Sequence, residues 1–355
     1  KSKSTEPFFL ALGFLKPHLP FCAPKKYWDL YDRSSFTLPA LRTPPEGAPK
    51  YAPTTWGELR QYSDIPDTGP LTDEQARAMM HGYHAAVSYV DAQIGRVLDE
   101  FDRLGLATNT IIVLWGDHGW HLGDHGMWSK HTNYEEATHI PLLIAAPGVT
   151  KPGTRTKALA ETVDLYPTLC ELAGLPKPKL PQPLDGQSLV PVLKNPSGQG
   201  KQAIFHVFPR HRRGDGEILG QAVRTERYRL VEWKKPGAPP ETADLELYDY
   251  HADPAETKNL ASEQPEVVAK LRAILAKQPE GKPQLSAKPD AGKQKAERAA
   301  LFDRKDTNHD GQLTRAEFLA NQPDPDEAPK RFTRFDRNQD GILSREEFVK
   351  MGVAP

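Results

Sequence analysis

Cysteine is scarce: Cys22 and Cys170 are the two in a chain of 355 residues. That rules out a disulfide scaffold and says nothing about redox compartment. No apolar run approaches the length of a membrane span. Charge of one sign is also lacking. With 46 basic and 47 acidic side chains the formal net charge is −1, so there is no electrostatic footprint for nucleic acid or an anionic membrane. No signal-peptide pattern stands at Lys1, and nothing about location follows from that. What the chain has in quantity is proline, 34 residues, which implies many fixed loops. Its length suits two or three domains.

The most informative stretch is TIIVLWGDHGWHLGDHGMWSKH, residues 110–131. The apolar, β-branched run Ile111–Trp115 predicts a buried strand, broken at Gly116 by a loop dense in Asp, His, Gly and Lys. Open α/β sheets place ligands just outside the carboxyl ends of their strands. Asp117 offers a hard oxygen ligand there, and His118 a nitrogen ligand or hydrogen-bond donor. Further along, Lys130 brings a compact positive charge suited to an oxyanion. A metal and an anionic substrate together account for this mixture, whereas an isolated Asp-His-Gly is equally at home in a surface loop.

Taken in order, FFLALGF (residues 8–14) predicts a short buried strand running into KPHLPF, where prolines flank Lys16 and His18. Residues 24–70 are rich in proline and irregular, a wrapping segment or one wall of a cleft. Residues 72–104 predict the longest helix, with a Thr72–Gln75 capping box, an apolar stripe from Ala76 to Leu104 and Gly105 at its end. His81 and His84 on this helix are expected to be solvated or edge residues. A second buried strand is expected at Ile140–Ala146 and a short helix at 162–173. Alternating strands and helices indicate a mainly parallel sheet flanked by helices. Short alternating runs at 203–208, 221–225, 228–233 and 246–250 predict a small antiparallel sheet, followed by a helix near 265–277. The domains are then an α/β part at 1–195, a subdomain at 196–277, a flexible linker at 278–295 and a tail at 296–355.

The tail holds two copies of one calcium-loop pattern. Asp306, Asn308, Asp310, Gln312 and Glu317 fill the ligand positions of the first, with Gly311 at the sharp turn. Asp336, Asn338, Asp340, Ile342 (through its carbonyl) and Glu347 fill those of the second, with Gly341 at its turn. Two matches in register predict an all-α EF-hand pair, with Leu313 and Leu343 joining the loops and five phenylalanines forming the core.

Residues 7–262 resemble the carboxyl-terminal two-thirds of a type I, formylglycine-dependent sulfatase, of the iduronate-2-sulfatase-like branch of the alkaline-phosphatase-like superfamily. GFLKPHLPF, the long segment from Ser88 to Ile144, DLYPTLCELAGL and LYDYHADPAETKNLA carry the likeness, in the family's order. The resemblance implies an α/β fold and hydrolysis of sulfate esters on sulfated, glycosaminoglycan-like polysaccharides. It implies active-site calcium on Asp117 and His118. It gives His18 and Lys130 catalytic roles against the sulfate oxygens. Trp120, His125 and Trp128 are candidates for the substrate side or, equally, for packing. It also implies a periplasmic, secreted or cell-surface location.

The nucleophile is the departure. The family makes formylglycine from Cys or Ser in a C/S-x-P-x-R motif, beside an amino-terminal Asp pair. Cys22 opens Cys-Ala-Pro-Lys-Lys, which ends in Lys and lies after KPHLPF, so it is read as an ordinary thiol. The expectation is therefore a chain lacking the nucleophile-bearing amino-terminal segment, inactive alone, with that segment as a partner and the sugar as substrate. Two alternatives stay open: a phosphoesterase of the same superfamily, and a catalytically dead calcium- or carbohydrate-binding module.

Overall fold

The computed structural model describes residues 6–54, 58–66, 68–176, 181–212, 216–282, 291–320 and 328–351. Two compact units divide between Lys282 and Pro283. Residues 283–290 of the expected linker, 278–295, lie outside the described residues, and its last part is helical, since a helix begins at Ala291.

In the first unit, a one-turn helix, α1 (Lys25–Trp28), packs on the long helix α2 (Asp73–Arg103). Thr72 and Gln75 form the reciprocal cap at its start, satisfying orphan amides of the first turn. Gly82 is where the chain crosses: a Cβ there would stand 3.0 Å from both Phe21 Cβ and Trp28 Cη2. The amino-terminal half of α2 buries Ala76, Ala85 and Ala86, while Val87 and Leu98 further along are 40% and 39% exposed. His81 is buried rather than solvated. Its Nε2 donates to the Trp28 carbonyl at 2.8 Å, which fixes it as a packing residue.

Strand β1 (Ile112–Trp115) leads into the polar loop. A one-turn helix, α3 (Glu135–Thr138), and strand β2 (Leu142–Ala145) follow. The expected parallel relation between these strands is corrected: β1 and β2 pair antiparallel, Ile112 opposite Ala145 and Trp115 opposite Leu142. The connection between them, residues 116–141, is a long loop that carries the one-turn helix α3 and returns the chain antiparallel. The expected strand at 8–14 is a further correction. Its backbone is extended but unpaired among the described residues, with Phe9 86% exposed. Extended backbone becomes sheet only beside a partner that takes its amides and carbonyls. Helix α4 (Leu165–Leu172) is shorter than the predicted span because a 3₁₀ turn, Thr162–Asp164, takes its first residues. Helix α5 (Val190–Lys194) closes this part.

A four-stranded antiparallel meander follows, β3 (Ala203–Arg212), β4 (Gly216–Thr225), β5 (Tyr228–Lys234) and β6 (Asp244–Asp249), in sequence order. Strict alternation gives it two buried faces. Val223, Leu230 and Leu247 meet Val268, Leu271 and Leu275 of α6 (Pro265–Leu275), a helix opened by proline in its first turn. On the opposite face Ala222, Val231 and Trp233 pack with Ala52 of the proline-rich segment, which therefore wraps this sheet.

The second unit is the paired-loop tail: α7 (Ala291–Lys305), β7 (Gln312–Thr314), α8 (Arg315–Leu319), α9 (Ala328–Phe335), β8 (Ile342–Ser344) and α10 (Arg345–Met351). β7 and β8 pair antiparallel with Leu313 opposite Leu343, as the repeat predicts. Phe302, Phe318, Phe332, Phe335 and Phe348 form its core. Gly311 and Gly341 sit at φ +78° and +83°, the turn that the sixth loop position requires.

Candidate functional site

The loop after β1 delivers Asp117 and His118 at the strand's carboxyl end, where the sequence predicts them. The Asp117 side chain is 88% exposed, and its Oδ2 lies 3.6 Å from His118 Nε2. His118 Nδ1 is 2.7 Å from the Gly119 carbonyl, which can only accept. The ring therefore carries its proton on Nδ1 and leaves Nε2 as a lone pair beside the carboxylate. Gly119 is obligatory there, since a Cβ would fall 1.9 Å from the Glu136 carbonyl oxygen. These two side chains present one carboxylate and one imidazole. One carboxylate and one imidazole are fewer donors than the six to eight oxygens a calcium ion takes, so these two side chains alone do not complete a calcium site.

His18 and Lys130, 112 residues apart, are brought together. His18 Nδ1 donates to the Leu19 carbonyl at 2.8 Å, turning Nε2 towards Lys130 Nζ at 2.9 Å. A residue the sequence did not single out completes the group: Glu58 Oε2 is 2.9 Å from Lys130 Nζ, and its Oε1 is 3.1 Å from His18 Nε2. Glu58 is one of several acids in a segment without a readable pattern, and no local signal marks it. Lys130 Nζ also lies 5.4 Å from the Trp120 ring centroid, an ammonium-over-indole contact. The ammonium is 13% exposed and the His18 ring 37% exposed, so the group borders solvent through the histidine. Arg210 anchors this strip of chain, donating to the Ala52 carbonyl at 2.8 Å and the His131 carbonyl at 2.6 Å. Next to Lys130, His131 titrates below the ordinary histidine range, through burial and then the neighbouring ammonium.

The three side chains expected on the substrate side are separated. Trp120 is partly buried against Phe21, at 6.2 Å and edge-on, and forms one wall of the Lys130 group. Trp128 packs over Gly123, whose Cβ would stand 3.0 Å from its ring. His125 is corrected: it is 2% exposed and turned into the interior, with Nε2 donating to the Ala255 carbonyl at 3.0 Å. The backbone causes this, since His125 sits at φ +52° and its amide donates to the Leu41 carbonyl. Cys22 is a free, exposed thiol and Cys170 is also free.

A loop of Asp, His and Lys at the end of a strand, on a chain with this element order, belongs to an alkaline-phosphatase-like α/β protein. The structural neighbours agree. A protein solved with its substrate D-glucosamine-2-N,6-O-disulfate shares the fold at 24% identity, with a TM-score of 0.60 over 74% of this chain and 63% of that one. The phosphonate monoester hydrolase of Silicibacter pomeroyi superposes at 28% identity, with a TM-score of 0.57 over 74% of this chain and 53% of that one. The sulfatase family model matches residues 1–175, the N-sulphoglucosamine sulphohydrolase carboxyl-terminal model residues 123–280, and EF-hand models residues 298–320 and 330–352. Iduronate 2-sulfatase of Mus musculus is 34% identical over 288 residues, 65% of this chain and 52% of that protein. The chain belongs to the sulfatase family, sulfuric ester hydrolases by class, and carries an EF-hand pair. It spans about half the length of the curated relatives it matches.

Proposed function

We propose that this chain is the oxyanion-handling part of a sulfatase that hydrolyses sulfate esters on glycosaminoglycan-like sugars. The observation that carries the reading is the Lys130–His18–Glu58 group, its lysine on the same loop that carries Asp117 and His118. Lys130 Nζ donates to a sulfate oxygen, and Glu58 holds the ammonium in place until that anion arrives. His18, with Nδ1 donating to the Leu19 carbonyl, meets the same oxygens as the imidazolium, whose Nε2–H donates to them. Charge developing on those oxygens during in-line displacement is then met by groups already aimed at it. Asp117 and His118 contribute to a calcium site completed by further oxygens, and an upstream segment supplies the formylglycine nucleophile. The half-length match to curated relatives supports that last point. The EF-hand loops hold calcium of their own, on oxygen donors already converging. The location we assign is periplasmic, secreted or cell-surface, where calcium is available to weak extracellular loops.

The phosphonate monoester hydrolase neighbour keeps a phosphoesterase of the same superfamily as the second reading. Parallel turnover of an aryl sulfate and the matching aryl phosphate by the full-length protein separates them. The proposal expects the sulfate to turn over faster, and faster phosphate turnover reverses the assignment.

A further inference from the structure

A second constellation lies behind the loop, on residues the sulfatase reading does not use. His121, Asp124, His125 and Glu136 each offer one ligand atom, and those atoms all lie within 4.8 Å of one another. The two imidazoles are 0% and 2% exposed. Their outer nitrogens are occupied. His125 Nε2 donates to the Ala255 carbonyl at 3.0 Å. His121 Nε2 lies 2.8 Å from Thr132 Oγ1, which also receives the Tyr134 amide. A histidine that donates one ring N–H outward presents the other nitrogen as a lone pair, the arrangement that orients metal-binding imidazoles.

The inner nitrogens face acceptors. His121 Nδ1 lies against Asp124 Oδ2. His125 Nδ1 is 3.6 Å from that same oxygen. It is buried and has no hydrogen-bond partner. Glu136 Oε2, the fourth donor, is likewise buried with no hydrogen-bond partner. Asp124 Oδ1 is held by the Leu122 amide at 2.9 Å, so Oδ2 is the oxygen left to the cluster. Neither carboxylate has a lysine or arginine partner among the described residues. Two half-buried carboxylates, one with a buried unpartnered oxygen, converge with two buried imidazoles, one with an unpartnered nitrogen, and a cation between them would satisfy the set.

We propose that these residues form a structural zinc-class site with two histidine and two carboxylate ligands. Two nitrogen and two oxygen donors in a compact set of four select zinc over calcium or magnesium, which take six or more ligands, predominantly oxygen. Four protein ligands leave no open position, so the ion is a cross-link. It fastens the loop carrying Lys130 to α3, and through His125 to the turn at Ala255.

The test uses the full chain stripped with a chelator and returned to excess Ca²⁺, so that the EF-hand loops hold their own ion. Zn²⁺ is then titrated and the retained metal counted after gel filtration. The expected result is one Zn²⁺ per chain, lost from His125→Asn and from Glu136→Gln, with an intense tetrahedral Co²⁺ spectrum when Co²⁺ replaces Zn²⁺. Asparagine is chosen at 125 because it tolerates the left-handed backbone there. No retained Zn²⁺ in the wild-type chain overturns the proposal, as does undiminished retention in both variants. If either variant fails to fold, the wild-type Co²⁺ spectrum decides: a weak octahedral spectrum overturns the site, a tetrahedral one upholds it.

Discussion

Lys130 and His18 were legible as residues because each follows a strand-like run with a polar break, and the family resemblance gave both a common target. Their contact, made across 112 residues, was not legible, nor was the Glu58 that joins them. Nothing local distinguishes a carboxylate that will meet an ammonium from one that will face water. His125 shows the converse: GDHG reads like the GDHG just before it, yet its left-handed backbone turns the ring inward. The spacing of His121, Asp124 and His125 was visible, whereas Glu136 joins them only through the fold of α3. The same invisibility applies to Arg229 and Glu256, both fully buried and 2.5 Å apart, with the guanidinium 4.9 Å from the Tyr134 ring centroid and 5.0 Å from that of Tyr248. Removing one member strands the other's charge. Arg229→Met is expected to cost about 3–5 kcal/mol in urea unfolding, with Arg229→Met/Glu256→Gln recovering part of it. A loss below about 1 kcal/mol for the single variant contradicts the pairing.

At the scale of elements, strong local rules read well. The Thr72–Gln75 capping box starts α2 at Asp73, and Gly105, at φ +70°, follows its end. The two calcium loops fold as their spacing dictates, because twelve residues contain every ligand and the turn glycine. The strand at 8–14 and the relation of β1 to β2 failed for one reason. Apolar runs announce extended backbone, but pairing depends on which neighbour is within reach. The tail's independence as an element makes a separable prediction. Glu317→Gln with Glu347→Gln removes the bidentate ligand from each loop. The variant is expected to lose the calcium-induced rise in the tail's melting temperature while the full-length protein keeps its turnover. A calorimetric scan with and without Ca²⁺, alongside an aryl sulfate assay, reads both. A fall in turnover as large as that of Lys130→Ala would refute this division of labour.

For the whole molecule, the fold class was readable from the order of elements and the resemblance. The division at Lys282 falls near the predicted loss of apolar residues. The chain covers about half the length of its curated relatives. Phe8, Phe9, Leu10, Leu12, Phe14 and Leu15 are exposed, as are Trp115 at 48% and Leu143 at 58%. The proposed function rests on Lys130 meeting the sulfate oxygens in the transition state. The direct measurement is aryl sulfate turnover by the full-length protein and its Lys130→Ala variant, with far-UV circular dichroism to show both folded. The account predicts a fall in kcat on the order of 10²–10³, the usual loss when one preorganised oxyanion donor is removed. A folded variant that turns over sulfate at the wild-type rate would contradict it.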